Sequence, residues 1–91
     1  MYLEIVSPEA TLFSGEVTSV AVPGVDGEFE ILKDHAPIIS LLKKGSVKVV
    51  GNITIDKDFE DKFSKQAKGY YLPINSGTIE CKDNKVIVLA D

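Results

Sequence analysis

The sequence predicts an all-β domain, an antiparallel sandwich or flattened barrel, and three observations predict it. Apolar residues recur with period two along most of the chain. Gly, Pro, Asn and Asp punctuate those runs at close intervals, as tight turns between short strands require. The composition, 44% apolar and 26% charged over 91 residues, is that of a folded globular protein. A chain of this length buries roughly 60 to 65% of the surface its unfolded form exposes, enough for one core in a single domain spanning 1–91.

The first strand is read from Leu3 and Ile5 alternating with Tyr2, Glu4 and Val6, and Ser7-Pro8 ends it, because proline cannot donate to a ladder and restricts the residue before it. Ser14-Gly15 and Gly24-Val25-Asp26-Gly27 read as tight turns that tolerate positive φ. Between them Val20 and Val22 alternate with Ser19 and Ala21; further on, Val47 and Val49 flank Lys48, and Ile79 and Cys81 flank Glu80. Each is a half-buried strand. Asp83-Asn84 suits a two-residue hairpin loop with left-handed backbone at both positions. Val86-Ile87-Val88-Leu89 is apolar on both faces, the pattern of a central strand covered on both sides; a face left open within the domain calls for a partner. From Asp56 to Lys68 the spacing of Phe59, Phe63 and Ala67 and the pairs Asp58/Lys62 and Asp61/Lys65 fit a short amphipathic helix capped by Asp56. Its rival there is an extended hairpin with Phe59, Asp61 and Phe63 on one face.

The chemical inventory excludes most function classes. Net charge is −4, so no grip on a nucleic-acid backbone is expected. No run approaches the roughly 20 apolar residues of a membrane span, and Met1-Tyr2-Leu3-Glu4 lacks the basic start of a signal peptide. Any membrane association comes through a partner. Cys81 is the only cysteine; it forms no disulfide within the chain, reads as a small buried hydrophobe, and makes a reducing compartment the default. His35 is the only histidine and has no nucleophile in a motif around it, so a turn or interface hydrogen bond is its expected role. The acids Asp56, Asp58, Glu60 and Asp61 lack the spacing of a calcium loop, and Asp26 and Glu28 would repel phosphate from the GxxG turn. No catalytic, cofactor-binding or metal-binding residue is assigned.

Taken in order, several pieces carry a resemblance. They are Leu3-Glu4-Ile5-Val6-Ser7-Pro8-Glu9, Leu12-Phe13-Ser14-Gly15-Glu16-Val17, Pro23-Gly24 with Asp26-Gly27-Glu28-Phe29, and His35-Ala36-Pro37 before Ile38-Ile39. Gly45 and Ser76-Gly77, each ahead of a strand, and the closing Asn84-Lys85-Val86-Ile87-Val88-Leu89-Ala90-Asp91 complete the set. The chain resembles the β-sandwich domain of the epsilon subunit of F-type ATP synthases, called delta in mitochondria. The resemblance implies a ten-stranded flattened sandwich at the foot of the rotor's central stalk, non-catalytic, binding the gamma subunit and resting on the c ring to couple ion flow to ATP synthesis. It implies a peripheral place on the cytoplasmic face of the cell membrane, with membrane association only through the complex and no homo-oligomer required.

On matched motifs, the resemblance assigns the acidic turn Asp26, Gly27, Glu28 and Phe29 to the c ring, and Ser7, His35, Ala36, Pro37 and Ser40 to gamma. Two departures stand out. Family members continue past this end into a helical hairpin that binds ATP or restrains rotation in some of them; this sequence stops at Asp91, and those functions need the absent helices. Segment 51–75 is longer than the usual connection, with Tyr70-Tyr71-Leu72-Pro73-Ile74-Asn75 in place of a simpler strand and Thr78 where a second Gly is usual. The alternative function is a freestanding β-sandwich module for peptide or carbohydrate, for which Tyr70 and Tyr71 are the aromatic platform.

Overall fold

A computed structural model describes residues 1–91. Ten strands are present: β1 (Tyr2–Val6), β2 (Thr11–Glu16), β3 (Ser19–Gly24), β4 (Gly27–Ile31), β5 (Ile38–Leu42), β6 (Gly45–Val50), β7 (Ser64–Gln66), β8 (Gly69–Ile74), β9 (Gly77–Lys82) and β10 (Lys85–Ala90), with a 3-10 helix at Lys57–Lys62. No helix is long and apolar enough to cross a membrane.

The strands form one sheet in the order β2-β1-β10-β9-β5-β3-β6-β8-β7, with β4 paired to β3. β5 touches β3 only at Leu42 against Gly24, and the sheet folds over at that narrow joint. The first layer is β2-β1-β10-β9-β5 and the second β4-β3-β6-β8-β7. The pairing is antiparallel as expected except at β1 and β10, which run in parallel. No tight turn has to join these two, since they come from opposite ends of the chain, so the parallel direction carries no connection problem.

The period-two reading placed the core correctly. Leu3, Ile5, Val20, Val22, Val47, Val49, Ile79, Cys81, Val86 and Val88 are all fully or almost fully buried and belong to one cluster. Full burial of each aliphatic side chain stabilises the fold by roughly 1.5–3 kcal/mol. In β3 the alternation fails, because Ser19 and Ala21 are buried too. Ala21 lies between Glu30 and Lys48 in register, and the methylene stems of such long neighbours cover a small residue.

Turn chemistry decides the connections. Asp83 and Asn84 both have positive φ, 52° and 61°, and close the expected two-residue hairpin between β9 and β10. Gly24 pairs with Gly27 across the β3–β4 hairpin, and Gly27, at φ 130°, holds a conformation that a side chain would strain. Ser14-Gly15, in contrast, does not turn the chain: both residues lie inside β2, opposite Glu4 and Leu3. Gly15 packs closely there, since a Cβ would come 3.3 Å from the Phe13 ring. The turn itself falls at Val17-Thr18.

Segment 56–68 divides between its two readings. Asp56 caps the 3-10 helix, its carboxylate accepting from the Asp58 N–H at 2.8 Å, but the helix ends at Lys62 and β7 then pairs back onto β8. The pairs Asp58/Lys62 and Asp61/Lys65 do not form; the ion pairs of the molecule are Met1–Glu16 and Lys85–Glu4. With three residues per turn, positions four apart no longer share a face. Ile53, Phe59 and Phe63 pack on the core around buried Ile55. Asp61 and Lys62 line one open cavity with Leu12 and Leu72.

Candidate functional site

The outer face of the first layer is where the sandwich is unfinished. Registers across β1, β10, β9 and β5 align side chains in transverse rows. One row is Val6, Leu89, Thr78 and Leu41; the next is Glu4, Ile87, Glu80 and Ile39. Nothing in the chain lies over them. Ile39 is 76% exposed, Leu41 63% and Leu89 51%. β10 is central in its hydrogen bonding but covered on one face only, because the sandwich has two layers and no helix to supply a third. The expectation that it is covered on both sides therefore fails within the chain.

At the lower end of this face, where β1, β5 and β10 finish, an open groove of about 590 Å³ runs between Val6, Ser7, Pro8, Val25, Leu41 and Leu89. The β3–β4 turn reaches this groove because the Val25 N–H donates to the Leu41 carbonyl at 3.1 Å and the Lys43 N–H to that of Pro23 at 2.8 Å. Val25, 48% exposed, extends the apolar row onto the turn. Asp26 and Glu28 beside it are exposed to solvent.

The residues singled out in the sequence fall into separate places. Asp26, Gly27 and Glu28 share the lower end with Ser7. Phe29 does not join them: it alternates inward from Glu28 and packs on the core. His35, Ala36 and Pro37 sit at the opposite end of β5, against the Asp83-Asn84 turn, where the Asp34 N–H donates to Asn84 Oδ1 at 3.0 Å. Ser7 and His35 are thus at opposite ends of the layer, on strands separated by β10 and β9. The His35 Nδ1–H donates to its neighbour's carbonyl, Ala36 O, at 2.7 Å. Ser40 pairs with Ile79, which is fully buried, so its side chain faces the interior side of the layer while Ile39 and Leu41 face outward. The apolar row on β5 was missed, although Ile38-Ile39-Ser40-Leu41-Leu42 carries the same two-faced signal as β10.

The remaining chemistry is quiet. Burial pushes the Cys81 thiol up from its ordinary value, and its Sγ lies 3.8 Å from the His35 carbonyl oxygen. No group of three or more His, Cys, Asp or Glu residues is placed to hold a metal ion. Tyr70 and Tyr71 are consecutive in β8 and half-buried. They point to opposite faces, Tyr70 against the core and Tyr71 beside Lys48 on the outside, so they make no shared platform for a sugar or peptide.

Comparison with known proteins bears on the chain as a whole. The family described as ATP synthase, Delta/Epsilon chain, beta-sandwich domain matches residues 1–91. The ATP synthase epsilon chain of Chlorobium limicola is 40% identical over 89 residues, covering 98% of this chain and 86% of that protein. The epsilon chain of Campylobacter concisus is 40% identical over 91 residues, covering all of this chain, which spans 60% of that relative's length. Among solved structures, a chain of the Tetrahymena thermophila mitochondrial ATP synthase central stalk and c ring superposes with a TM-score of 0.73 at 12% identity, covering 99% of this chain and 62% of that one. A chain of the Euglena gracilis mitochondrial ATP synthase OSCP/F1/c-ring assembly gives 0.74 at 15% identity, covering 97% and 48%. At such identities these two matches concern the fold alone.

Proposed function

This chain belongs to the family of ATP synthase delta/epsilon β-sandwich domains, and on that premise we propose that it serves as a non-catalytic subunit of the central stalk in an ion-translocating ATP synthase. The first layer's outer face takes the gamma subunit. The lower end, with Asp26, Gly27 and Glu28, rests on the c ring, and the chain is held peripherally on the cytoplasmic side of the membrane through those two partners.

The observation that carries this reading is the group of exposed aliphatics on one face, Leu89 of β10 and Leu41 and Ile39 of β5, interrupted on β9 by Thr78 and Glu80. Single exposed aliphatics need no explanation, but several on one face ending in a groove mark an interaction surface. Ser7 lies at the lower end of that face, and Ala36 and Pro37 at its upper end, so the gamma contact proposed for them runs along β5 rather than at one point. Ser40 contributes from beneath by shaping the layer. Phe29 anchors the ring-facing turn to the core while Asp26 and Glu28 present carboxylates that can pair with basic or amide groups of ring loops. A stiff two-layer body with one surface on each partner transmits rotation without chemistry of its own.

The test is co-purification: an affinity-tagged copy expressed in its own host should retain gamma and the c ring from detergent-solubilised membranes. Recovery of the folded chain without either partner would sink the reading.

A further inference from the structure

Resting on the stalk reading above, we infer that the ring-facing end is a site of two halves. Lys43 and Lys44, on the turn between β5 and β6, take a carboxylate of a c-ring loop, while Asp26 and Glu28 take a basic or amide group of the same surface. The two lysines have no task within the fold: both are exposed, and neither belongs to an ion pair.

The β3–β4 and β5–β6 turns are built as one body. Two backbone hydrogen bonds tie them, from the Val25 N–H to the Leu41 carbonyl at 3.1 Å and from the Lys43 N–H to the Pro23 carbonyl at 2.8 Å. Gly24 pairs with Leu42 between those bonds. Gly45 completes the joint, since a Cβ there would come 2.7 Å from the Pro23 Cβ and force the turns apart. On its other side Pro23 pairs in register with Glu28. The acids and the lysines therefore stand on opposite flanks of buried Pro23-Gly24, at positions that the backbone fixes.

Charge then selects the partner. Asp26, Glu28, Lys43 and Lys44 are all exposed, and the ion pairs of the molecule, Met1–Glu16 and Lys85–Glu4, include none of them. Two acids and two bases held on one frame leave the paired turns neutral but polarised across their width. A surface of a single sign gains little from such an end: an anionic membrane drawn to the lysines meets the carboxylates on the other flank. A surface carrying both signs in the complementary order gains from all four. Ring loops with a carboxylate beside a basic or amide side chain meet that requirement. The order of the charges then permits one direction of docking, which sets how the sandwich is turned on the ring.

The experiment treats the assembled complex in its native membranes with a carbodiimide, which joins an amine to a carboxylate in direct contact with it, and identifies the linked peptides by mass spectrometry. The expected product is an amide between Lys43 or Lys44 and a carboxylate of a c-ring loop. Replacing both lysines together, Lys43→Glu with Lys44→Glu, should weaken retention of the purified ring roughly tenfold or more at low salt, in a chain whose thermal midpoint is unchanged. Exchanging the linked ring carboxylate for lysine should restore binding to that variant. Links from these lysines to gamma alone, no link to the ring, or an unchanged ring affinity in the double variant would overturn the two-part site and leave the stalk reading standing. Retention on anionic lipid vesicles without the ring, lost in the double variant, would overturn it as well by making a headgroup the occupant. If the folded wild-type chain is not found with the ring at all, the site and the ring half of the stalk reading fall together.

Discussion

The two outer faces of this sandwich obey the same alternation and end in opposite states. On the second layer, outward positions of β3 hold small buried residues, Ser19 and Ala21, and Ala21 is flanked in register by the long side chains of Glu30 and Lys48. On the first layer, outward positions of β10 and β5 hold Leu89, Ile39 and Leu41, with nothing over them. Folding alone gains nothing from exposed leucines, and a group of exposed apolar side chains on one face is an aggregation hazard. One face is closed by its own side chains, and the other leaves its large aliphatics open.

The sharpest way to break that comparison uses adjacent residues of β5. Ile39→Arg places a charge at the β5 end of the open face and should weaken gamma binding by ~2 kcal/mol or more, measured by calorimetry, with little change in Tm. Ser40→Arg, one position along, turns its side chain toward buried Ile79 and should instead destabilise the fold by about 1–3 kcal/mol, seen as a lowered urea midpoint. If both substitutions act on binding and neither on stability, the two sides of β5 have been assigned wrongly.

These neighbours also show what could be read from residues alone. Alternation identified the buried members of β1, β6 and β9 and the valines of β3, because side-chain period is a local property of the strand. Turn chemistry located Asp83-Asn84 and Gly27 for the same reason. Ser14-Gly15 misled, since a glycine that makes room for Phe13 looks identical in sequence to one that turns the chain. Which side of β5 Ser40 takes is not legible locally, because Ile38-Ile39-Ser40-Leu41-Leu42 is apolar at both parities around it; its pairing with Ile79 decides that. Whether a two-faced apolar strand is covered depends on the number of layers, a tertiary fact absent from any short window. The insert at 57–62 is a 3-10 helix that gives way to β7 at Ser64, where the chain pairs with β8, a pairing that the charge pattern of 56–68 does not contain.

A smaller effect concerns the turn that joins the open face to the lower end. Glu28→Lys alters an exposed side chain and should change stability by less than ~0.5 kcal/mol, while reducing coupled ATP synthesis in reconstituted vesicles. Val25→Ser, beside it, removes the apolar tip that continues the open face and should weaken gamma rather than the ring. Identical losses for both partners from each variant would mean that the turn does not divide its contacts in this way.

The smallest effect is expected on the finished face, and it is the control on which the comparison depends. Lys48 lies 5.9 Å from the centre of the Tyr71 ring and its stem passes Ala21. Lys48→Ala therefore removes an exposed cation–π contact worth about 0.5–1 kcal/mol and uncovers one methyl group. Thermal unfolding should register that loss, with Tm falling by a few degrees. Affinity for gamma should not move, because no side chain of the second layer's outer face belongs to the open one. A loss of gamma binding in a chain still folded at the assay temperature would show that both faces meet the partner, and the exposed leucines of the first layer would no longer distinguish them.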